Sequence, residues 1–319
     1  MISTRSTHRA AGARFAPRTG MSQPRQILPN QFYMLTRRTT QRQYWLRPDP
    51  ITTAIFIYCL AEAAARFKID ILLTMAESNH HHTICYDRRG TFPQFVEHFH
   101  KLVARCLNER WGRTENLWSS EEPCITRLLD YRAILAKLAY AAANPVKDLL
   151  VQRAVQWPGA NGYRALITGR TMKARRPHHF FSASGVMPDE VELELVIPDV
   201  LGPRDQVIAE LRARVEQIEH AMLCYRSKTG RRILGRARAI KQAPAASPTS
   251  ASPPRELRPR FAGHITTRIP ALIAYREFLV AHREARIQWL ATGKALFPAG
   301  TYYWARVAPI SIAPERHAH

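Results

Sequence analysis

The stretch I-D-I-L-L-T-M-A-E-S-N-H-H-H-T-I, residues 69–84, decides the fold. Ile69 to Met75 is a β-branched and aliphatic run of strand character. It leads straight into Asn79-His80-His81-His82-Thr83-Ile84 before Gly90 breaks the element. Successive side chains of a strand point to opposite faces, so His80 and His82 share one face and His81 takes the other. Strand rise puts the two like-facing Cα atoms about 6.6 Å apart, and both imidazoles can then reach one divalent ion at about 2.1 Å from each nitrogen. A surface histidine cluster, or one core histidine satisfied by a backbone carbonyl, fits the same letters.

On the N-terminal side, Phe32, Tyr33, Met34 and Leu35 predict a buried strand over Gln31–Thr36, with the polar run Arg37-Arg38-Thr39-Thr40-Gln41-Arg42 as its exit. Thr52 to Phe67 is alanine-rich and free of Gly and Pro, which predicts a helix. On the C-terminal side, Phe95, Phe99, Leu102, Val103, Cys106 and Leu107 recur at helical spacing within about Pro93–Trp111. A further helix over about Asp130–Asn144 is expected to stop at Pro145, because the residue before a proline is pushed out of the helical region. Alternating strands and helices over 26–160 predict an α+β domain: a small antiparallel sheet with helices on one side.

The remainder reads as a mixed α/β, helix-rich basic region. Val191, Leu193, Leu195 and Ile197 alternate with polar residues as a half-buried strand does. Gly202-Pro203 opens a helix whose Val207, Leu211, Val215, Ile218 and Met222 form one apolar stripe. Arg226, Lys228, Arg231, Arg232, Arg236, Arg238 and Lys241 follow with no acid among them, either a solvated helix end or a phosphate-contacting arm; the second is preferred. The expected organisation is a disordered basic arm over 1–25, the domain over 26–160, an accessory region over 164–241, a Pro/Ser/Ala linker over 242–259 and a terminal helix and tail over 260–319. That last helix is placed at about Pro270–Thr292, and the aromatic Phe297–Trp304 tail is read as an edge strand or docking segment.

The chain has 319 residues, with Lys+Arg 47 against Asp+Glu 25 for a net charge of +22, and is 46% hydrophobic. Such a composition builds a core and excludes wholesale disorder or a collagen-like fibre. The charge implies a polyanionic partner, nucleic acid before an acidic membrane surface. Five cysteines, Cys59, Cys85, Cys106, Cys124 and Cys224, stand singly, which suggests neither a disulfide framework nor a zinc knuckle and fits a reducing cytoplasm. The most apolar stretch, Ile51–Ala65, is interrupted by Glu62 well short of the ~20 residues that cross a bilayer. Arg5, Arg9, Arg14 and Arg18 surround no apolar signal-peptide core, so the N-terminus is a basic arm or the true start is Met21.

Tyr140 and Asn144, four residues apart on one expected helix, project from the same face near its end. An ordinary half-buried tyrosine fits that position. Beside a metal-bound phosphate, however, a tyrosine hydroxyl is a competent nucleophile, because the cation withdraws charge from the phosphoryl group. The Asn144 amide could complete coordination without adding charge.

The segment Leu138 to Leu150, L-A-Y-A-A-A-N-P-V-K-D-L-L, resembles the Tyr-three-residues-Asn-Pro-Val-Lys signature of the REP-associated tyrosine transposases of the single-tyrosine HUH superfamily. Asn79-His80-His81-His82 resembles that family's Asn-His-hydrophobic-His, and Phe99-His100-Lys101 to Leu117-Trp118 resembles the helix and Leu-Trp after it. The resemblance covers 26–160. It implies a ferredoxin-like catalytic domain that cuts and rejoins single-stranded or hairpin DNA, in a prokaryotic, nucleoid-associated protein. His80 and His82 would hold Mg²⁺ or Mn²⁺ with Asn144 as third ligand, and Tyr140 would form a 5′-phosphotyrosine and free a 3′-OH. Lys147, Arg37, Arg38 and Arg42, with Arg231, Arg232, Arg236 and Arg238 of the basic run, would contact the DNA backbone. A homodimer sharing active-site parts is compatible with this reading.

Two features depart from the family pattern. His81 occupies the usually hydrophobic middle position and must find a partner or expose its face. Ser119-Ser120-Glu121-Glu122 replaces the aromatic residues and histidine that usually follow Leu-Trp, and acids near a DNA channel weaken phosphate binding. They favour the alternative of a non-catalytic, domesticated DNA-binding protein. A third reading, an RNA-binding module stacking bases on Tyr44 and Trp45, lacks any recognisable RNA-binding motif.

Overall fold

Pro50 in the first turn and the Asp49 side chain, which accepts from the Thr52 N–H at 3.0 Å, start the first helix where the sequence places it, and Lys68 in the left-handed region ends it. In a computed structural model describing residues 23–249 and 259–315, the chain runs β1 (Gln31–Arg38), α1 (Pro50–Phe67), β2 (Ile69–Ala76), β3 (His80–Asp87), α2 (Phe92–Trp111) and β4 (Cys124–Leu128). The rest of the expected basic arm, up to residue 22, and residues 250–258 of the expected linker lie outside the described residues. The strands line up β2-β3-β1-β4, all antiparallel. Each crossover therefore returns two strands over, the ferredoxin-like split β-α-β arrangement of the α+β class expected from the sequence.

Asp87 closes β3 and starts α2. Its Oδ1 accepts from the N–H groups of Arg89, Gly90 and Thr91, and its Oδ2 from Phe92, around a turn in which Gly90 has φ +75°. The crossover helices α1 and α2 pack on each other over one face of the sheet, burying Phe56, Phe92, Phe95 and Phe99. α1 is long and apolar enough by composition to cross a membrane, but Ile55 to Ala64 are buried within this core.

The opposite face is covered by later elements. α3 (Tyr131–Ala142), whose N-terminus Asp130 caps through the Ala133 N–H at 2.8 Å, packs on β2 and β3. The expected helix to Asn144 stops at Ala142, and a single separate turn, α4 (Asn144–Lys147), holds Pro145 in its first positions, where a missing N–H is not needed. α5 (Gly162–Thr168) lies against β2. A small hairpin, β5 (Met172–Arg175) with β6 (Glu190–Leu193), packs on α1. The expected strand to Ile197 is thus shorter, although Leu193, Leu195 and Ile197 are all buried and the Val196 N–H reaches the Ile71 carbonyl at 2.9 Å. α6 (Arg204–Thr229) buries Val207, Leu211 and Val215 of its predicted stripe and packs on α3.

The basic run then turns back. Leu234 and Gly235 donate to the carbonyls of Leu149 and Leu150 at 2.8 and 2.9 Å, just before α7 (Arg236–Ile240). The Gln242 carbonyl accepts from Arg47 at 3.1 Å, the Ala246 carbonyl from the Tyr44 N–H at 3.0 Å, and Ser247 Oγ donates to the Gln41 carbonyl at 2.9 Å. Part of the stretch read as a linker is therefore docked on the loop after β1. β7 (Phe261–Ala262) adds a parallel edge beside β4, and α8 (Ile265–Thr292) begins before the expected Pro270, which lies inside it. The described residues group into two units, Ile27–Arg276 and a smaller one containing Glu277 onward together with the residues up to Gln26. In the smaller unit, β8 (Leu296–Phe297) pairs with β9 (Ser311–Ile312), and α9 (Tyr303–Val307) brings Trp304 against Trp289 and Phe297. The expected aromatic tail is thus part strand and part helix.

His81 has found its partner. Buried among Phe56, Phe99 and Trp118, its Nε2 lies 3.0 Å from His100 Nε2 and its Nδ1 3.1 Å from Thr83 Oγ1. One ring donates and the other accepts, and burial keeps both neutral at pH 7, holding His81 well below the ordinary imidazole value and pushing His100 down to about 3. His81→Leu leaves the His100 nitrogen unsatisfied and is expected to cost about 1–3 kcal/mol. Adding His100→Leu should recover part of that loss in chemical-denaturation curves; additive losses would mean the two rings do not act as a pair.

Candidate active site

The register of β3 against β1 builds the site. Thr36 stands opposite His82 and Arg38 opposite His80, so these four residues share the face covered by α3 and α4. Thr36 Oγ1 lies 2.7 Å from His82 Nδ1. Asn79 donates its amide N–H to the Arg42 carbonyl at 3.1 Å, which turns its oxygen toward His80 Nδ1 at 2.8 Å. His80 Nδ1 is then the protonated nitrogen, and Nε2 is left as an acceptor facing the Asn144 amide nitrogen at 2.9 Å.

Burial, with Arg38 and Arg42 nearby, pushes the His80 pKa down to about 3. Burial and the neighbouring histidines hold His82 well below the ordinary imidazole value. Both rings are neutral at pH 7; the lone pair of His82 Nε2 is open to a cation, while that of His80 Nε2 faces the Asn144 amide. Their centroids are 5.0 Å apart, and the buried His82 Nε2 has no hydrogen-bond partner among the described residues.

From α3, the Tyr140 ring meets His82 edge-on with centroids 5.4 Å apart, while the Lys147 ammonium sits 4.0 Å over the Tyr140 ring and Lys137 5.5 Å from it. Although the helix ends before Asn144, the turn at Ala143 keeps both residues beside the histidines. The Asn144 amide also donates to Glu77 Oε1 at 2.6 Å. Glu77, in the turn between β2 and β3, is 2% exposed, and burial followed by the Asp148 charge raises its pKa well above the usual carboxylate range. Donor atoms of Glu77, His80 and Asp148 lie within 4.8 Å of one another. A divalent ion fits this donor set of one neutral imidazole and two carboxyl groups, with the orphaned buried nitrogen of His82 on the neighbouring ring.

Solved structures that the chain is similar to in fold include the following. A REP-associated tyrosine transposase bound to a REP hairpin is 15% identical with a TM-score of 0.40, covering 56% of this chain and 100% of that one. A candidate transposase of Deinococcus radiodurans is 18% identical with a TM-score of 0.27, covering 33% of this chain and 84% of that one. The tRNA(His) guanylyltransferase of Saccharomyces cerevisiae is 14% identical with a TM-score of 0.30, covering 40% of this chain and 64% of that one. No protein-family model and no curated protein matches the chain.

The residues expected to touch DNA divide into three groups. Arg38, Arg42 and Lys147 rim the histidine face, where their charges act on His80, His82 and Asp148. Arg37 points to the other face and donates to the carbonyls of Glu121 and Ser119 at 2.9 and 3.1 Å, so it holds the acidic loop in place. Arg231, Arg232, Arg236 and Arg238 are exposed on the returning segment that docks at Leu149–Leu150, immediately after Asp148. Glu77, Asp148 and the orienting Thr36 and Asn79 were not singled out from the sequence. Asn79 and Asp148 fall inside the quoted motifs without having been given a role, and nothing local marks Glu77.

A phenol held against a neutral imidazole inside a cationic rim can present an oxygen nucleophile to a bound phosphodiester. The neutral histidines also set a pH dependence. Below about pH 6.5 the unfolded chain binds protons that His80 and His82 refuse in the fold. Stability is expected to fall as pH drops from 7 toward 4, and His80→Gln should flatten that slope in thermal melts; an unchanged slope would mean His80 is not held neutral.

Proposed function

We propose that this chain cleaves and rejoins single-stranded or hairpin DNA through Tyr140, as the REP-associated tyrosine transposases it resembles in sequence do. The observation carrying the reading is the Tyr140 ring against His82, whose inward nitrogen is buried without a partner. His80 and His82 would hold Mg²⁺ or Mn²⁺. When bound, such an ion supplies charge withdrawal at the scissile phosphate. Asn144 would be the third ligand, its side-chain amide lying 2.9 Å from His80 Nε2 and 2.6 Å from Glu77 Oε1.

In the proposed reaction the Tyr140 oxygen forms a bond to phosphorus and the P–O3′ bond breaks. The phenol loses its proton, the departing oxygen gains one as a free 3′-OH, and the 5′-phosphate is left on tyrosine. The ester conserves the bond energy for rejoining, so no nucleotide cofactor is required. Lys147, Arg38 and Arg42 at the rim and Arg231, Arg232, Arg236 and Arg238 on the returning segment supply phosphate contacts, which set affinity and register more than sequence choice.

Incubation with single-stranded DNA carrying a hairpin, plus Mn²⁺, should give a covalent adduct on denaturing gels that Tyr140→Phe abolishes. An undiminished adduct in that variant would identify another nucleophile, and no adduct from the wild-type chain would favour a DNA binder without chemistry. Replacing Arg231, Arg232, Arg236 and Arg238 by Gln should lower the slope of log affinity against log salt by roughly 3 for single strands. An unchanged slope would remove that segment from the DNA path.

A further inference from the structure

The geometry points to Glu77 and Asp148 as cation ligands that supplement the two histidines. This rests on the proposed reading of the site as metal-binding and specifies who bears the negative charge there. Glu77 is buried in the β2–β3 turn, where its side chain meets the Asn144 amide at 2.6 Å. Asp148, exposed at the rim after α4, brings a second carboxylate to the same place, with donor atoms of both acids and of His80 within 4.8 Å.

Two acids this close repel when both are charged, with Lys147 the cation that acts on both. A divalent cation between them relieves the repulsion. The second, independent observation is His82 on the adjacent position of the same face: its Nε2 is buried, lacks a partner, and belongs to a ring 5.0 Å from His80. Together they make a mixed set of imidazole nitrogens and carboxylate oxygens, a donor type suited to Mn²⁺ or Mg²⁺.

Asn144 belongs to the same cluster, its side-chain amide lying 2.6 Å from Glu77 Oε1 and 2.9 Å from His80 Nε2. Carboxylate ligands imply that the ion is held before DNA arrives, since their charge attracts it in the absence of phosphate.

The test is Mn²⁺ titration of the full chain without DNA, followed by loss of the free-ion EPR signal, together with thermal melts in EDTA and in Mn²⁺. Glu77→Gln and Asp148→Asn are each expected to weaken Mn²⁺ binding by about tenfold or more. Both should melt no lower than wild type in EDTA, because each removes repulsion, while losing most of the Mn²⁺-induced rise in Tm. Asp148 is exposed, so its variant keeps the test valid should Glu77→Gln fail to fold. Wild-type affinity in both variants, with binding lost in His82→Ala, would overturn the carboxylate assignment and leave the proposed function standing. Unchanged affinity in His80→Ala and His82→Ala would overturn the metal reading behind that function, and no binding by the wild-type chain would overturn both.

Discussion

Strand β3 puts two chemistries on its two faces, and the pairing that fixes its register is the constraint on which the site depends. With Thr36 opposite His82 and Arg38 opposite His80, the outer histidines of the triplet face α3 and α4 while His81 enters the aromatic core under α1 and α2. A slip of one residue would exchange these environments, since strand side chains alternate. Three identical side chains cannot discriminate between the two registers by themselves. The discrimination comes from their neighbours: His100 and Thr83 on the core side, Thr36, Asn79 and Asn144 on the other. His81, a departure from the resembled pattern, is thereby paired rather than exposed.

The electrostatics follow from the same placement. A chain of net charge +22 concentrates some of its arginines around a pocket of neutral rings, and burial keeps those rings neutral while the rim stays cationic. The acids at Glu77 and Asp148 run against that trend. Their position inside the basic rim gives the site one locus for a small cation within a surface suited to a polyanion.

Much of this was legible in the sequence because it is local. Alternation on a strand places His80 and His82 together, helical spacing defines α2 and α6, and the apolar runs mark β1 and β2. What escaped is non-local or a property of turns. The return of Leu234 and Gly235 to Leu149 and Leu150 joins segments whose only sequence signal was an excess of arginine. Glu77 lies in a hairpin turn and Asp148 just beyond a single helical turn, where no periodicity assigns a direction. Helix α3 was expected to carry both Tyr140 and Asn144. Pro145 instead divides it at Ala143, and the two side chains reach the histidines from separate elements. The opposite face of the sheet, covered by α3, α5 and α6, could not be read from the strand–helix alternation that defines the first face.

Crystals grown with Mn²⁺ and without DNA, measured for anomalous scattering at the manganese edge, bear most directly on the central claim that imidazoles from β3 and a phenol from α3 meet around one cation. The account predicts one peak at roughly 2.1 Å from both His80 Nε2 and His82 Nε2, with the Tyr140 ring still against His82. A peak away from the two rings, or imidazoles turned to separate surfaces, would contradict it.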